Sequence, residues 1–521
     1  MSKSGLRLGI DVGGTNSDVV LMRGRDVIAS AKSFTTADVK SGVVNAVDAV
    51  LAQVTQARDE IEAVMIGTTQ FVNAFVQRRD LTPVGIVRVS LPKADGVPPL
   101  AGWPDDLIAA VGGHTYMVGG GSFYTGKEYA QLDEEALRQV GADIRSRGLR
   151  AVAITSNFAP IRPDIEERAA AIIQTEAPGV HVTLSSKVGG MGLIDRENAA
   201  IINASLSELA VKVVGSFVAA FAEMGVHAPI YISQNDGTLI TTDVATTLPI
   251  LTCSAGPTNS VRGAAFLTGI DEAIVADIGG TTTDIGFLVR GFPRETTAAT
   301  YIGGVRTNFR MPDVLSIGIG GGSEVREMDG QCQVGPTSVG FRLQSEGLVF
   351  GGQTMTASDI AVAAGQAAIG DPTLVADIPV EVVECALDAI HGQIEEAIDR
   401  IKTSDHDMPL ILVGGGSILV SRSIKGATEV LRPPHSEVAN AVGAAIALVS
   451  GRVDKVYDTT TLGREATLEK AQQEACDEAI AAGALADEVE IVEVTELPMT
   501  HMQSGAVNIR VRAVGPLAAL A

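Results

Sequence analysis

Cysteine, positive charge and long hydrophobic runs are all scarce in this chain of 521 residues, and each scarcity removes a class of function. The four cysteines, Cys253, Cys332, Cys385 and Cys476, lie far apart with no C-x-x-C pair. That spacing argues against a disulfide framework or a structural zinc site and leaves them as buried thiols. Lys and Arg number 39 against 62 Asp and Glu, a formal charge of -23, and no local basic patch stands out. Nucleic acid and anionic lipid are therefore disfavoured partners. The longest stretch of small apolar residues, 441–449, falls well short of the roughly 18 residues a spanning helix needs. The amino terminus carries no basic region followed by a secretory hydrophobic run, so a cytoplasmic protein without a membrane segment is expected. No Ser-His-Asp or Cys-His signature appears either. What is abundant is apolar and small: 46% hydrophobic residues and 57 glycines, a globular composition with enough chain for two or three cores.

The chain contains one phrase twice. Leu8-Gly9-Ile10-Asp11-Val12-Gly13-Gly14-Thr15-Asn16-Ser17-Asp18-Val19-Val20-Leu21 recurs as Val275-Ala276-Asp277-Ile278-Gly279-Gly280-Thr281-Thr282-Thr283-Asp284-Ile285-Gly286-Phe287-Leu288. Each copy reads as strand, glycine turn and strand, a β-hairpin. Between the copies, a strand at 151–155, a helix at 164–176, a strand at 180–184 and a long helix at 195–224, softened near Gly215, alternate in the manner of α/β layers. Three regions are expected: a first lobe over 1–185, a second over 186–452, and a small α+β unit over 453–521 with a helix at 468–482 and strands at 488–494 and 506–514.

Each hairpin has the makings of a phosphate site. Two glycines followed by hydroxyl residues let backbone N–H groups and Thr hydroxyls converge on an anion, while a carboxylate ending the preceding strand suits magnesium. Asp11 and Asp277 hold that place, and nucleotide-bound Mg²⁺ takes one or two carboxylates and keeps its waters. A D-x-G-G-T phrase is also a plain tight turn. A third cluster, Gly414-Gly415-Gly416-Ser417, follows the apolar run 410–413 and would admit a ribose or planar ring, although G-G-G-S is a common loop. The small-residue helix at 438–449 reads as core. Arg306 and Arg310 flank a loop that could clamp an anion or be a solvated basic turn, and the phrase 233–238 is a polar strand end.

In order, these phrases resemble the phosphate-1, phosphate-2 and adenosine motifs of the actin, sugar-kinase and heat-shock ATPase superfamily. With Gly67-Thr68-Thr69, Ser254-Ala255-Gly256-Pro257 and Ile317-Gly318-Ile319-Gly320-Gly321-Gly322-Ser323, the first 450 or so residues resemble more closely the hydantoinase/oxoprolinase family, its ATP-consuming A subunit in a short form. The resemblance implies two actin-like (ribonuclease H-like) ATPase lobes and an ATP-dependent amidohydrolase that phosphorylates the carbonyl oxygen of a hydantoin, 5-oxoproline or lactam-like ring. It implies ATP and Mg²⁺ as cofactors, with a second divalent metal left open. Gly13, Gly14, Thr15 and Asn16 would hold one side of the phosphates and Gly280, Thr281, Thr282 and Thr283 the other, with Asp11 and Asp277 meeting Mg²⁺ through water. Gly414, Gly415, Gly416 and Ser417 would face adenosine. Thr68 and Thr69 would lie near the transferred phosphoryl, unless Thr69 merely caps the helix that follows. A small cyclic amide and a partner subunit are implied, of hydantoinase B type or S-methyl thiohydantoin desulfurase type, alone or with homo-oligomerisation. The family's Asn-Pro-x-His-Glu phrase is replaced here by a segment, 157–167, without histidine. A small-molecule kinase and an ATP-switched reactivating protein remain alternatives.

Overall fold

A computed structural model describes residues 5–13, 16–34, 39–54, 58–296, 300–309, 311–328, 331–499 and 506–518. The repeated phrase folds twice into one motif. Strands Leu6–Val12 and Asn16–Arg23 pair antiparallel with Asp11 opposite Asp18, and strands Ala273–Ile278 and Thr283–Val289 pair with Asp277 opposite Asp284. The turns close alike, Gly13 N–H donating to Asn16 O at 3.0 Å and Gly279 N–H to Thr282 O at 2.9 Å. Each first strand then takes a parallel neighbour: Ile61–Thr68 beside the first, Met408–Val413 beside the second. Apolar side chains on both faces of these strands are fully buried, as sheets covered on two sides require.

Around these motifs grow two sheets. The first has nine strands, running from the edge Glu490–Pro498 through Ala506–Gly515, Leu448–Asp458, Thr238–Thr241, Ile230–Ser233, Ile61–Thr68, Leu6–Val12 and Asn16–Arg23 to Asp26–Phe34. The second holds Phe292–Pro293, Thr283–Val289, Ala273–Ile278, Met408–Val413 and Ala427–Leu431, with Val314–Ile317 also paired to Thr283–Val289. A separate parallel sheet of four, His181–Leu184, Ala151–Ser156, Val84–Leu91 and His114–Gly119, packs beside the first. The nine-stranded sheet thus crosses the expected boundaries at 185 and 452, because its strands pair by register rather than by chain order. The C-terminal strands extend it, and helix Arg464–Ala481 covers that extension with Ala471, Ala475 and Ala479.

The long helix breaks at Leu206, not Gly215, into Leu193–Ser205 and Ser207–Glu223, bent by 51°. The Ser205 carbonyl is taken by Thr82 N–H at 2.8 Å, and Leu206 N–H donates to Asn203 O at 3.1 Å, so the helical ladder is interrupted there. Among the described residues no single helix is long and apolar enough to cross a membrane.

Two helices lie between the main sheets, Ala255–Thr268 against the second and Ala439–Ala445 against the first. They cross almost backbone to backbone. A Cβ on Gly443 would stand 1.9 Å from Asn259 O, and one on Gly263 would stand 1.9 Å from Ala439 O.

Candidate active site

The two hairpin turns, their parallel neighbours and the two crossing helices meet at four carboxylates: Asp11, Asp18, Asp277 and Asp284. Asn440, on helix Ala439–Ala445, donates to Asp11 Oδ2 at 3.0 Å and to Asp18 Oδ2 at 2.8 Å. On helix Ala255–Thr268, Ser260 donates to Asp277 at 2.5 Å, and its neighbour Asn259 lies beside Asp11. Consecutive residues of one helix therefore touch the carboxylates of both halves. Lys32 pairs with Asp18 at 2.9 Å and stands 3.9 Å from where a Gly415 Cβ would be. Ser316 donates to Asp284.

So many acids in one place are costly to ionise. Burial first, then the charges of Asp18 and Asp277, pushes the Asp11 carboxyl up to about 7. Burial also raises Asp277, and it pushes Asp284 up to about 6. Asp11 Oδ1 and both polar side-chain atoms of Asn259 are buried without a hydrogen-bond partner. An orphaned carboxylate oxygen among acids asks for a cation. Among the described residues no three His, Cys, Asp or Glu side chains converge as a metal-holding group. Nucleotide-bound Mg²⁺ asks for only one or two carboxylates, so the donor set fits it.

Glycine keeps this space open at equivalent points of the two halves. A Cβ on Gly67, beside Asp11 in the sheet, would meet Asp11 Oδ1 at 2.6 Å and Asn259 Nδ2 at 2.4 Å. One on Gly414, which has φ +82, would meet Asp277 Oδ1 at 2.4 Å. Gly416 presses on the Ile278 and Gly279 backbone, and Ser417 accepts at its carbonyl from Arg432 at 2.9 Å. The 414–417 loop and the second turn are thus one assembly, the loop continuing as a 3-10 turn, Gly415–Leu419. The loop 318–322 braces the same turn from its other side. Gly321 N–H donates to Gly279 O at 3.0 Å, Gly322 N–H to Gly280 O at 2.7 Å, and Thr283 Oγ1 to Ile319 O at 2.7 Å. That commits the Thr283 hydroxyl to the protein, whereas Thr282 is exposed and Gly280 and Thr281 are partly so.

Thr68 is buried and Thr69 half-buried at the end of Ile61–Thr68, with Thr69 Cγ2 3.1 Å from a Gly256 Cβ position. Thr69 occupies the N-cap position of helix Gln70–Gln77 but makes no side-chain cap hydrogen bond. Gly13 and Asn16 close the first turn; Gly14 and Thr15 lie outside the described residues. The N-terminal end of helix Ala255–Thr268 lies beside Asp11, where a Cβ on Gly256 would stand 4.0 Å from Asp11 Oδ1. Its free N–H groups favour an anion there. Asn235, in the polar strand end, fixes that terminus by accepting from Ser254 N–H at 2.6 Å.

Arg306 lies elsewhere, half-exposed and paired with Asp195 at 3.4 Å, and Arg310 lies outside the described residues. Sequence reasoning passed over Lys32, Asn259, Ser260 and Asn440. Asn259 and Ser260 follow Pro257 by two and three residues, a signal within reach. Asn440 stands in a run that reads as plain core helix.

Fold and site together define a two-lobed protein of the actin-like ATPase fold. Two family models match, the hydantoinase/oxoprolinase N-terminal region over residues 7–177 and hydantoinase/oxoprolinase over 196–371. The chain belongs to the hydantoinase/oxoprolinase family. It is 27% identical over 432 residues to caprolactamase subunit alpha of Pseudomonas jessenii, covering 76% of this chain and 60% of that one. It is 26% identical over 394 residues to the acetophenone carboxylase gamma subunit of Aromatoleum aromaticum, covering 68% and 52%. The chain therefore spans between half and three-fifths of these relatives. Among solved structures, the ATP-dependent caprolactamase of Pseudomonas jessenii superposes with a TM-score of 0.75 at 20% identity, over 98% of this chain and 88% of that one. Nucleotide-free acetone carboxylase superposes with 0.70 at 18%, over 99% and 88%.

Proposed function

We propose that this chain uses ATP to phosphorylate the carbonyl oxygen of a cyclic amide or imide, so that the ring can be opened by water. Amide resonance makes the ring carbonyl a poor electrophile. A phosphoryl group on its oxygen withdraws electrons and leaves readily. The observation that carries the reading is one helical turn that places Asn259 beside Asp11 and hydrogen-bonds Ser260 to Asp277. That turn draws together the carboxylates that end the two repeated first strands, and phosphoryl transfer asks mainly for positioning and charge neutralisation.

Asp11 and Asp277 would hold Mg²⁺, which when bound neutralises phosphate charge. Gly280 and Thr281 would offer backbone N–H groups to the phosphates from the second turn, the matching glycine turn of the first repeat would do so from the other side, and Gly414 to Ser417 would leave room for the nucleoside. Asn440 and Lys32 hold Asp18 beside Asp11 and balance part of the acidic charge. The Thr68 and Thr69 hydroxyls stand at the end of the strand next to Asp11, where the transferred group would pass. A partner subunit, of hydantoinase B type or S-methyl thiohydantoin desulfurase type, supplies the ring-opening groups; the names of the caprolactamase and acetophenone carboxylase relatives mark them as subunits too.

A carboxylase reading has its own support in the acetophenone and acetone carboxylase similarities, since a ketone oxygen accepts phosphate by the same logic. One experiment separates the readings. ADP release is measured with 5-oxoproline, hydantoins, thiohydantoins, caprolactam or acetophenone, with and without bicarbonate and a co-expressed partner. The stimulating ring is then supplied with ¹⁸O in its carbonyl. Water adding at the carbon expels the protonated ring nitrogen, breaking the C–N bond and leaving an acyl phosphate; a second water attacking that carbon breaks the C–O bond and sends ¹⁸O into inorganic phosphate. Ring-dependent turnover with labelled phosphate is expected. A strict bicarbonate requirement moves the assignment to a carboxylase, accumulation of a stable phosphorylated product to a kinase, and ring-independent turnover to an ATP-driven switch.

A further inference from the structure

Two cysteines distant in sequence meet on the outer side of the second lobe. Cys332 lies on strand Gln331–Ser338 and Cys385 on helix Val380–Ile401, elements that pack against each other. The Cys332 and Cys385 thiols are in hydrogen-bond contact, and Cys332 Sγ also reaches Val382 O at 3.8 Å. Val382 and Cys385 are three apart, on one helix face. Both thiols are partly exposed.

The strand that carries Cys332 also reaches the phosphate turn. Three residues on, a Cβ at Gly335 would stand 2.1 Å from Gly318 O, and a Cβ at Gly318 would stand 2.6 Å from Pro336 Cβ. Val339 N–H then donates to Gly322 O at 2.9 Å. Gly318 and Gly322 bound the loop whose N–H groups hold Gly279 O and Gly280 O. The helix end of the pair is fixed, since Ile390, Ile394 and Ile398 are fully buried in the core of that lobe.

We propose that Cys332 and Cys385 form a reversible disulfide which slows nucleotide turnover by displacing the 318–322 loop. A disulfide brings the sulfurs to about 2.05 Å, closer than thiols in contact, so closing the bond draws the strand towards the helix. A misplacement of about 1 Å at a phosphate-binding turn can cost on the order of a hundredfold in rate. The oxidant is a small disulfide such as oxidised glutathione. Cys385 attacks it as thiolate and releases one glutathione thiol. The Cys332 thiol then gives its proton to solvent and, as thiolate, attacks the Cys385 sulfur of the mixed disulfide, expelling the second glutathione as thiolate and forming the protein disulfide. Burial, then the neighbouring thiol, pushes Cys332 up to about 12, so the second step is faster at alkaline pH.

The coupling to turnover rests on the ATPase reading, but the bond does not, and the test reads them separately. The full chain is titrated with oxidised glutathione at pH 8.5, alkylated and peptide-mapped without reduction. In parallel, dissociation of a fluorescent ATP analogue with Mg²⁺ and ATP turnover are followed, before and after dithiothreitol. A Cys332–Cys385 linked peptide, a tenfold or greater change in analogue dissociation or turnover, and recovery on reduction are expected. Cys385→Ser and Cys332→Ser should lose the response, while Cys476→Ser keeps it. Two free thiols at these positions after exhaustive oxidation would overturn the bond. A linked peptide with unchanged nucleotide kinetics would overturn the control of the loop, and an equal response in both Ser variants would overturn the assignment. Absence of ATP turnover with nucleotide dissociation still redox-sensitive would count against the amide chemistry alone.

Discussion

Asp11 concentrates the physical conflict of the molecule: a carboxylate strand end among three other acids, with one oxygen lacking any partner. Its folded-state value near 7 lies above the ordinary 3.8 of an unfolded Asp, so the folded chain holds the proton more tightly between those values. Stability is therefore full below about pH 4 and declines as pH rises through 7, by at most roughly 4 kcal/mol for this one group. Asp11→Asn removes that penalty while keeping the shape. Without nucleotide, the variant should match or exceed the wild-type melting temperature at pH 8, and the two curves should converge towards pH 4. With Mg-ATP the order should reverse, because the variant lacks the ligand, and turnover should fall by about a thousandfold or more. Thermal melts across pH with and without Mg-ATP check both halves. A variant that unfolds earlier at pH 8 without ligand would show that the carboxylate is ionised and satisfied by contacts other than a cation. Asp11, Asp277 and the glycines could be picked out from the sequence because the D-x-G-G-T phrase is local and occurs twice. Asn259, Ser260 and Asn440 act only through a helix crossing that no local phrase encodes.

Helices Ala255–Thr268 and Ala439–Ala445 turn that crossing into a site, and glycine is what lets them touch. An added methyl at Gly443 has no free path, since the nearest atom is backbone at 1.9 Å rather than a movable side chain. Gly443→Ala should cost about 1–3 kcal/mol by overpacking, and it should lower turnover further by shifting Asn259 and Ser260 off their carboxylates. Gly215→Ala offers the opposite sign. That glycine is helical with nothing within 4 Å of its Cβ position, so the substitution should stabilise by up to about 1 kcal/mol and leave turnover unchanged. Denaturant midpoints and ADP release on the two variants check this, and equal destabilisation by both would refute the crossing as the sensitive point. At this scale the sequence was readable wherever period and turn chemistry agree, as in the hairpins, helix Pro163–Glu176 and strand Ala151–Ser156. It was unreadable at Leu206, where a long-range donor, Thr82 N–H, captures a helix carbonyl.

The whole molecule is tied together across its halves by a buried charge cluster that chain order hides. Arg452 and Arg512, on neighbouring strands of the nine-stranded sheet, meet Glu295 of the other half at 3.3 and 3.2 Å, and Arg452 meets Asp236 at 2.7 Å. Arg512 is 8% exposed and also lies over the Phe292 ring at 5.1 Å. Burial works against the Asp236 charge, yet Arg452 and Arg512 hold it below the usual carboxylate range. The C-terminal strands are thus fastened to the second half, and the α+β appendage read from the sequence is part of the first sheet and of its contact with the partner lobe. Removing one member of a buried, hydrogen-bonded cluster leaves an uncompensated charge, so Arg512→Ala should cost about 3–5 kcal/mol. Arg464, paired with Glu496 at 2.7 Å but 69% exposed, is the matched control and should cost no more than about 1 kcal/mol. High salt should erase the control's small effect and leave the Arg512 effect in place, because screening acts on exposed pairs. If the cluster joins the halves, Arg512→Ala should also broaden or split the denaturant transition, as each half loses its hold on the other. A single unshifted transition for Arg512→Ala would mean that the crossing helices alone couple the lobes.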